Sequence, residues 1–100
     1  MEPLTLEALR KQIDEADDAL LQAFAERMSV AAEIGKEKKA EGRPIYDPAR
    51  ERQKLNDIVR RLPPELEQYG ASLYSFLFAL SRSYQSDGRT DPSPLRQESE

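Results

Sequence analysis

Apolar residues recur along the first forty residues at the three- and four-residue spacing of one helix face. The row consists of Leu6, Leu9, Ile13, Ala16, Leu20, Ala23, Ala31 and Ile34. No proline lies between Leu6 and Lys39, so the spacing predicts one helix of about 35 residues. Such a helix extends roughly 50 Å and cannot bury its whole apolar row within so short a chain. We therefore expect a partner helix, in a crossing or antiparallel pair between two protomers.

The end of the first helix and the start of the second carry clear local signals. A charged stretch with one glycine and one proline, residues 41–44, ends the first helix. Asp47 followed by Pro48 is typical of a helix N-cap and a proline in the first turn. The second helix is predicted from Pro48 to about Leu62, where two prolines stop it.

A third helix completes the predicted fold. It can begin at Glu65, Gly70 predicts a bend or a loop, and residues 71–86 carry the strongest helical periodicity. The pattern therefore predicts an all-α domain over residues 1–86, with three helices of which one is very long. Residues 87–100 hold two prolines, one glycine and one aliphatic side chain, so we expect a disordered polar tail or linker there.

Polar side chains occupy several positions that these helical rows reserve for core residues. They are Arg27 and Lys38 in the first helix, Glu51 in the second, and Ser81 and Gln85 in the third. A buried charge without a partner costs several kcal/mol. The pattern therefore leaves two possibilities open. One is an internal salt-bridge network, in which Glu51 pairs with Arg27 or Lys38, and the other is a pocket for a charged ligand.

The cations of the first helix do not all lie on one face. Arg27 and Lys38 are about 20° apart in helical phase and roughly 16 Å apart along the axis, so they could hold the two ends of one small anion. Arg10 lies about 25 Å from Arg27 on a different face, and one small ligand cannot reach both from a single helix. Arg10 is therefore either an exposed surface cation or a residue that serves the site of a partner protomer.

The composition narrows the possible chemistry. The 100 residues include no cysteine and no histidine, which excludes thiol nucleophiles, disulfides, imidazole bases and the usual zinc sites. The net charge of −4, with both signs mixed along the helices, argues against a nucleic-acid-binding surface. No segment approaches the roughly 18 apolar residues of a membrane span or has the pattern of a signal peptide. We expect a cytoplasmic protein without a metal ion.

Four segments resemble the all-helical, AroQ-type chorismate mutases in order and spacing over residues 4–86. They are LEALRKQIDEAD, LLQAFAERMSVAAEIGKEKK, RPIYDPARERQKL and SLYSFLFALSRSYQ, and the stretch 63–71 matches poorly. The resemblance implies an intertwined homodimer of three-helix protomers, in which each active site receives Arg10 from the other chain. It also implies the rearrangement of chorismate to prephenate, a pericyclic step without a cofactor, covalent intermediate or proton transfer.

The resemblance implies a role for each inward-facing polar residue of the first and third helices. Arg27, aided by Ser81, would hold a substrate carboxylate within its own protomer. Lys38 would contact a carboxylate and the ether oxygen, and Gln85 would be the second donor to that oxygen. The expected catalytic residues are therefore Arg10, Arg27, Lys38 and Gln85.

The resemblance also implies roles for residues at the start of the second helix. By the same resemblance, Glu51 and the backbone at Asp47 would bind the ring hydroxyl, and Arg50 would support the pocket wall. Tyr46 and Tyr84 lie near these positions in sequence, and the resemblance gives them no role.

Two alternative functions remain. Isochorismate pyruvate lyases share this fold and much of the cationic pocket, but they resemble the chain less at Asp47 and Glu51, so Glu51 favours the mutase. The other alternative is a noncatalytic helical dimerisation module, in which Arg27, Lys38 and Glu51 form a buried network that sets the register of the helices.

Overall fold

A computed structural model of the protein describes residues 4–87, all of whose regular structure is helical. The elements are α1 (Leu6–Ala40), α2 (Pro48–Arg60), a 3-10 turn (Pro64–Leu66) and α3 (Glu67–Asp87). The predicted all-α class with one very long helix is thereby confirmed. Asp87 still belongs to α3, and the rest of the predicted tail, residues 88–100, lies outside the described residues. Across residues 4–87, no helix has the length and apolar character needed to cross a membrane.

Side-chain oxygens cap the starts of α1 and α2, and the cap of α2 is the one that the sequence predicts. The Ala8 N–H donates a hydrogen bond to Thr5 Oγ1 at 3.0 Å, at the beginning of α1. At the start of α2, the Arg50 N–H donates to Asp47 Oδ1 at 3.1 Å, and Pro48 occupies the first turn. Because the first N–H groups of a helix lack partners within the helix, these two oxygens fix where each helix begins.

The end of α1 is a glycine-dependent reversal of the chain. Gly42 has φ of 69°, the left-handed region that side-chain-bearing residues rarely adopt. The Arg43 N–H donates to the Lys38 carbonyl at 2.8 Å, and the Gly42 N–H donates to the Lys39 carbonyl at 3.2 Å. This pair of bonds is the Schellman arrangement, which ends the helix after Ala40 and turns the chain toward α2.

The chain divides into two structural units, residues 1–30 and residues 31–100. The first unit contains most of α1, and its apolar row remains exposed, as at Ile13, which is 61% exposed. In the second unit α2 packs against α3, and Ile58 and Phe78 are buried. Its core also includes the buried Ala31, from the last turns of α1.

The structure corrects two details of the predicted helices. Helix α2 ends at Arg60 rather than near Leu62, because i to i+3 hydrogen bonds tighten its last turn. The bend or loop predicted at Gly70 is wrong, since Gly70 lies inside α3. A Cβ atom at this position would collide with Leu62 Cδ1. Gly70 is therefore a point of close packing within a continuous helix.

Candidate active site

Lys38 is held by the loop that follows α1. Its Nζ donates to the Ile45 carbonyl at 2.8 Å, and its side chain is half-buried. An ammonium group carries three donors, so two remain for other acceptors. The carbonyl fixes the position of the charge without neutralising it. Lys38 is thus a positioned cation, as the ligand-pocket interpretation of the sequence requires.

The N-cap and first turn of α2 contain three of the predicted site residues. Asp47 uses its side chain as the N-cap, in agreement with the sequence signal. The Arg50 side chain is exposed and its Nη1 donates to Gln53 Oε1 at 3.2 Å. Glu51, one residue further, is half-buried and turns toward α3. The N-terminal turn therefore separates an exposed cation from a partly buried carboxylate.

Glu51 forms an ion pair that the sequence pattern did not predict. Arg82 Nη1 donates to both carboxylate oxygens of Glu51, at 2.7 and 2.6 Å. The guanidinium carbon of Arg82 also lies 5.0 Å from the centre of the Tyr46 ring, a cation–π geometry. We call these three residues the Glu51 cluster. The sequence left open a pairing of Glu51 with Arg27 or Lys38, whereas the cation that binds it in the structure comes from α3.

A cleft of about 250 Å³ opens beside the Glu51 cluster. It is lined by Tyr46, Pro48, Glu51, Arg52, Leu55, Ser75, Phe78 and Arg82. Small-molecule sites generally start at roughly 300 Å³ and combine an apolar lining with a few polar groups. The cleft has that mixed lining and is close to that size, and Glu51 is the predicted site residue on its wall.

Ser81 and Gln85 project from α3 into the interior of the second unit. Ser81 is only 7% exposed. Gln85 Oε1 is buried and accepts no hydrogen bond from the residues that the structure describes. An unsatisfied buried acceptor costs about 1–3 kcal/mol, so native proteins retain few of them without a reason. A ligand group that donates a hydrogen bond to this oxygen would supply such a reason.

Gly35 brings α1 into contact with the backbone of Gln85. A Cβ atom at Gly35 would lie 2.7 Å from the Gln85 carbonyl oxygen, 2.9 Å from its Cα and 3.0 Å from its Cβ. Only a residue without a side chain permits this approach. The close contact fixes the origin of the Gln85 side chain relative to the last turns of α1.

The eight residues predicted for the site are divided between the two units. Arg10, which is exposed, and Arg27, which is half-buried, belong to residues 1–30. The other six belong to residues 31–100. They are Lys38, Asp47, Arg50, Glu51, Ser81 and Gln85. Within that unit, the structure holds Lys38 and Gln85 by backbone contacts and Glu51 by an ion pair.

Two residues of the cluster had no role in the sequence-based site. Arg82 lies 31 residues after Glu51 and one residue outside the row of Ser81 and Gln85, so the row did not identify it. Arg82 lies four residues after the buried Phe78, so the two residues share one helix face. The same reasoning from helical spacing identified Lys38, and it could have identified Arg82. Tyr46 gains a role only through Arg82, as its cation–π partner.

Comparison with known proteins agrees with the resemblance. Two relatives named T-protein, from Enterobacter agglomerans and Haemophilus influenzae, are 50% identical over 66 residues and 41% identical over 68 residues. These matches cover 61% and 68% of the chain but 18% of each relative, so the chain spans less than a fifth of their length. A protein named chorismate mutase from Methanocaldococcus jannaschii is 35% identical over 83 residues, covering 80% of the chain and 83% of the relative. No solved structure matches the chain.

The family comparison covers most of the molecule. Residues 9–86 match the family described as chorismate mutase type II. The matched range includes all of α2, all but the last residue of α3, and nearly all of α1. The chain therefore belongs to the chorismate mutase type II family.

Proposed function

We propose that the protein catalyses the rearrangement of chorismate to prephenate, an isomerisation in phenylalanine and tyrosine biosynthesis. The observation that carries the proposal is the family match over residues 9–86, which contains all eight predicted site residues from Arg10 to Gln85. The reaction breaks the ether C–O bond and forms a C–C bond within one molecule, so no group leaves and no proton is transferred. This chemistry suits a chain without histidine or cysteine.

In this proposal, Lys38 and Gln85 stabilise the transition state. As the C–O bond breaks, negative charge develops on the ether oxygen, and donors aimed at that oxygen lower the barrier. Lys38 keeps two donors after its bond to the Ile45 carbonyl. Gln85 has a fixed origin against Gly35, and its amide nitrogen is the group that would donate to the ether oxygen. Both features support preorganised donors, which need no reorganisation during the reaction.

The remaining polar residues would bind the substrate with similar strength in the ground state and the transition state. Arg27 with Ser81, and Arg10 from a partner protomer, would hold the two carboxylates. Glu51 and the backbone at Asp47 would bind the ring hydroxyl. Holding the enolpyruvyl arm over the ring converts a flexible molecule into a reactive conformer, which accounts for part of the expected acceleration. Loss of an anchor should raise KM more than it lowers kcat.

A homodimer would cover the apolar row of the first unit. Leu6, Ile13 and Leu20 of this row are each more than half exposed in the single chain. A contiguous apolar surface of this kind is unusual on a monomer and is typical of a protein interface. A second copy whose α1 crosses this helix would bury the row. In such a dimer, Arg10 of each protomer would lie near the active site of the other protomer.

Mixing two variants tests both the dimer and the donation of Arg10, when activity is measured at chorismate concentrations well below KM, where loss of an anchor lowers turnover as well. Arg10→Ala and Lys38→Ala homodimers, unfolded together and refolded, should recover about a quarter of wild-type activity, because half the dimers are mixed and each mixed dimer has one intact site. The matched control mixes Lys38→Ala with Gln85→Ala. In the proposal, one protomer contributes both Lys38 and Gln85 to a site, so a mixed dimer of these two variants contains no intact site. Recovery in the control, or none in the test mixture, would contradict a shared site.

The reaction itself is tested by adding chorismate and measuring its loss together with prephenate formation. A parallel incubation with isochorismate, with an assay for pyruvate, tests the lyase alternative. Turnover of neither substrate, with no thermal stabilisation by a dicarboxylate transition-state mimic, would support a noncatalytic dimerisation module. The cytoplasmic location stays a prediction from the sequence, which cell fractionation would test.

A further inference from the structure

The Glu51–Arg82 ion pair is closer and more sheltered than a typical surface pair. Arg82 Nη1 lies 2.7 and 2.6 Å from the two Glu51 oxygens, within the range of strong charge-assisted hydrogen bonds. The two side chains are 35% and 23% exposed. The Arg61–Asp57 pair lies at the C-terminal end of α2. Its Arg61 Nη2 and Asp57 Oδ2 atoms are 3.3 Å apart, and the two side chains are 69% and 42% exposed. Partial removal from water makes the first pair the stronger constraint on its members.

Arg82 is itself held in place by the loop that positions Lys38. Its guanidinium lies against the Tyr46 ring, and Tyr46 directly follows Ile45, whose carbonyl binds Lys38. The two contacts therefore anchor consecutive residues of one loop to α1 and α3. Through Arg82, the Glu51 carboxylate is connected to the same loop as the cation that is proposed to act on the ether oxygen.

The charge of Glu51 would oppose its proposed role if it stood alone. A bare carboxylate repels a substrate that carries two carboxylates of its own. Paired with Arg82, the group has no net charge, and two of its roughly four acceptor positions remain available for a hydroxyl hydrogen. A guanidinium also restricts the carboxylate to one orientation, which reduces the entropy lost when the substrate binds.

We propose that Arg82 is a positioning residue that makes Glu51 able to bind the hydroxyl of the dianionic substrate. The inference rests on the proposed chorismate mutase activity. Arg82 acts through Glu51, fixing its orientation and compensating its charge, and Tyr46 maintains Arg82 in this position. Since none of the bonds of the hydroxyl group breaks or forms in the rearrangement, Arg82 should affect substrate binding more than the chemical step.

The test is the effect of Arg82→Met on KM and kcat for chorismate. Methionine has similar length and remains able to contact the Tyr46 ring, while the charge and the donors are lost. KM should rise on the order of tenfold, the factor expected for one hydrogen bond to a charged group, and kcat should change little. Arg82→Lys should recover part of the loss, since it keeps the charge but not the planar group. Arg61→Met, the matched control, removes a guanidinium from an exposed pair and should leave KM unchanged.

Measuring the effect of Arg82→Met in the Glu51→Gln variant as well as in the wild type distinguishes a positioning role from general structural support. In Glu51→Gln, the further change Arg82→Met should add little to KM, because Arg82 acts only through the carboxylate. Wild-type KM in Arg82→Met, or an equal rise in both backgrounds, would overturn the inference. Urea unfolding checks that each variant folds. If Arg82→Met does not fold, Arg82→Gln replaces it, and the same rise in KM is expected. Failure of the wild-type protein to convert chorismate would instead overturn the proposed function.

Discussion

Replacing Gly35 with alanine tests whether the close approach of α1 to α3 positions Gln85 for catalysis. The added Cβ would lie 2.7 Å from the Gln85 carbonyl oxygen and 2.9 Å from its Cα. Carbon atoms in ordinary contact are about 3.5–4.0 Å apart. Both contacted atoms belong to the backbone and cannot rotate away, so the two helices must separate by roughly 0.5–1 Å.

The effect on stability should be modest, and the effect on activity should be large. Overpacking of this kind costs about 1–3 kcal/mol, and alanine recovers about 1 kcal/mol relative to glycine in a helix. The free energy of unfolding should therefore fall by no more than about 2 kcal/mol. A displacement approaching 1 Å can cost about 100-fold in rate. We expect kcat to fall by about 10- to 100-fold, because the Gln85 amide no longer meets the ether oxygen correctly.

The assay compares kcat for chorismate with the free energy of unfolding in urea. Gly70→Ala is the matched control, since it adds the same methyl group at another crowded position in the same unit. Its neighbour is the flexible end of Leu62, outside the candidate site. The control should lose stability without losing kcat. A Gly35→Ala protein with wild-type kcat would refute the view that this contact positions Gln85.

Other substitutions separate catalytic from structural roles. Lys38→Ala and Gln85→Ala should each lower kcat by about 100- to 1,000-fold, as loss of one charge-stabilising donor does. The effect of each on the free energy of unfolding in urea should be smaller. Full activity in either variant would contradict the catalytic role assigned to that residue. Asp47→Ala removes the N-cap of α2 and should lower the free energy of unfolding by about 1 kcal/mol, while Asp47→Ser, which also caps, should restore most of it. Ile58→Ala leaves a cavity between α2 and α3 and should cost about 2–5 kcal/mol, and a cost below 1 kcal/mol in a urea titration would show that this position is not core.

The sequence by itself determined the main helix boundaries and the helix face on which several candidate residues lie. The bounds of α1, the glycine reversal at residues 41–44 and the Asp47 cap follow from interactions among residues within a few positions of one another. The inward direction of Ser81 follows from helical periodicity alone, and the structure confirms its burial. Such features are readable in advance because the helix itself fixes which neighbours face each other.

The tertiary structure decided which distant groups meet. Periodicity placed Glu51 on an inner face but could not choose its cation, and the packing of α2 on α3 selected Arg82, 31 residues away. The same applies to Gly70, which lies inside a helix at a point where Leu62 Cδ1 occupies the space that a Cβ atom would fill. It applies as well to Gly35, whose contact with Gln85 joins residues fifty positions apart. A helical row specifies a face, whereas the partner on that face depends on how separate helices cross and how closely their backbones approach.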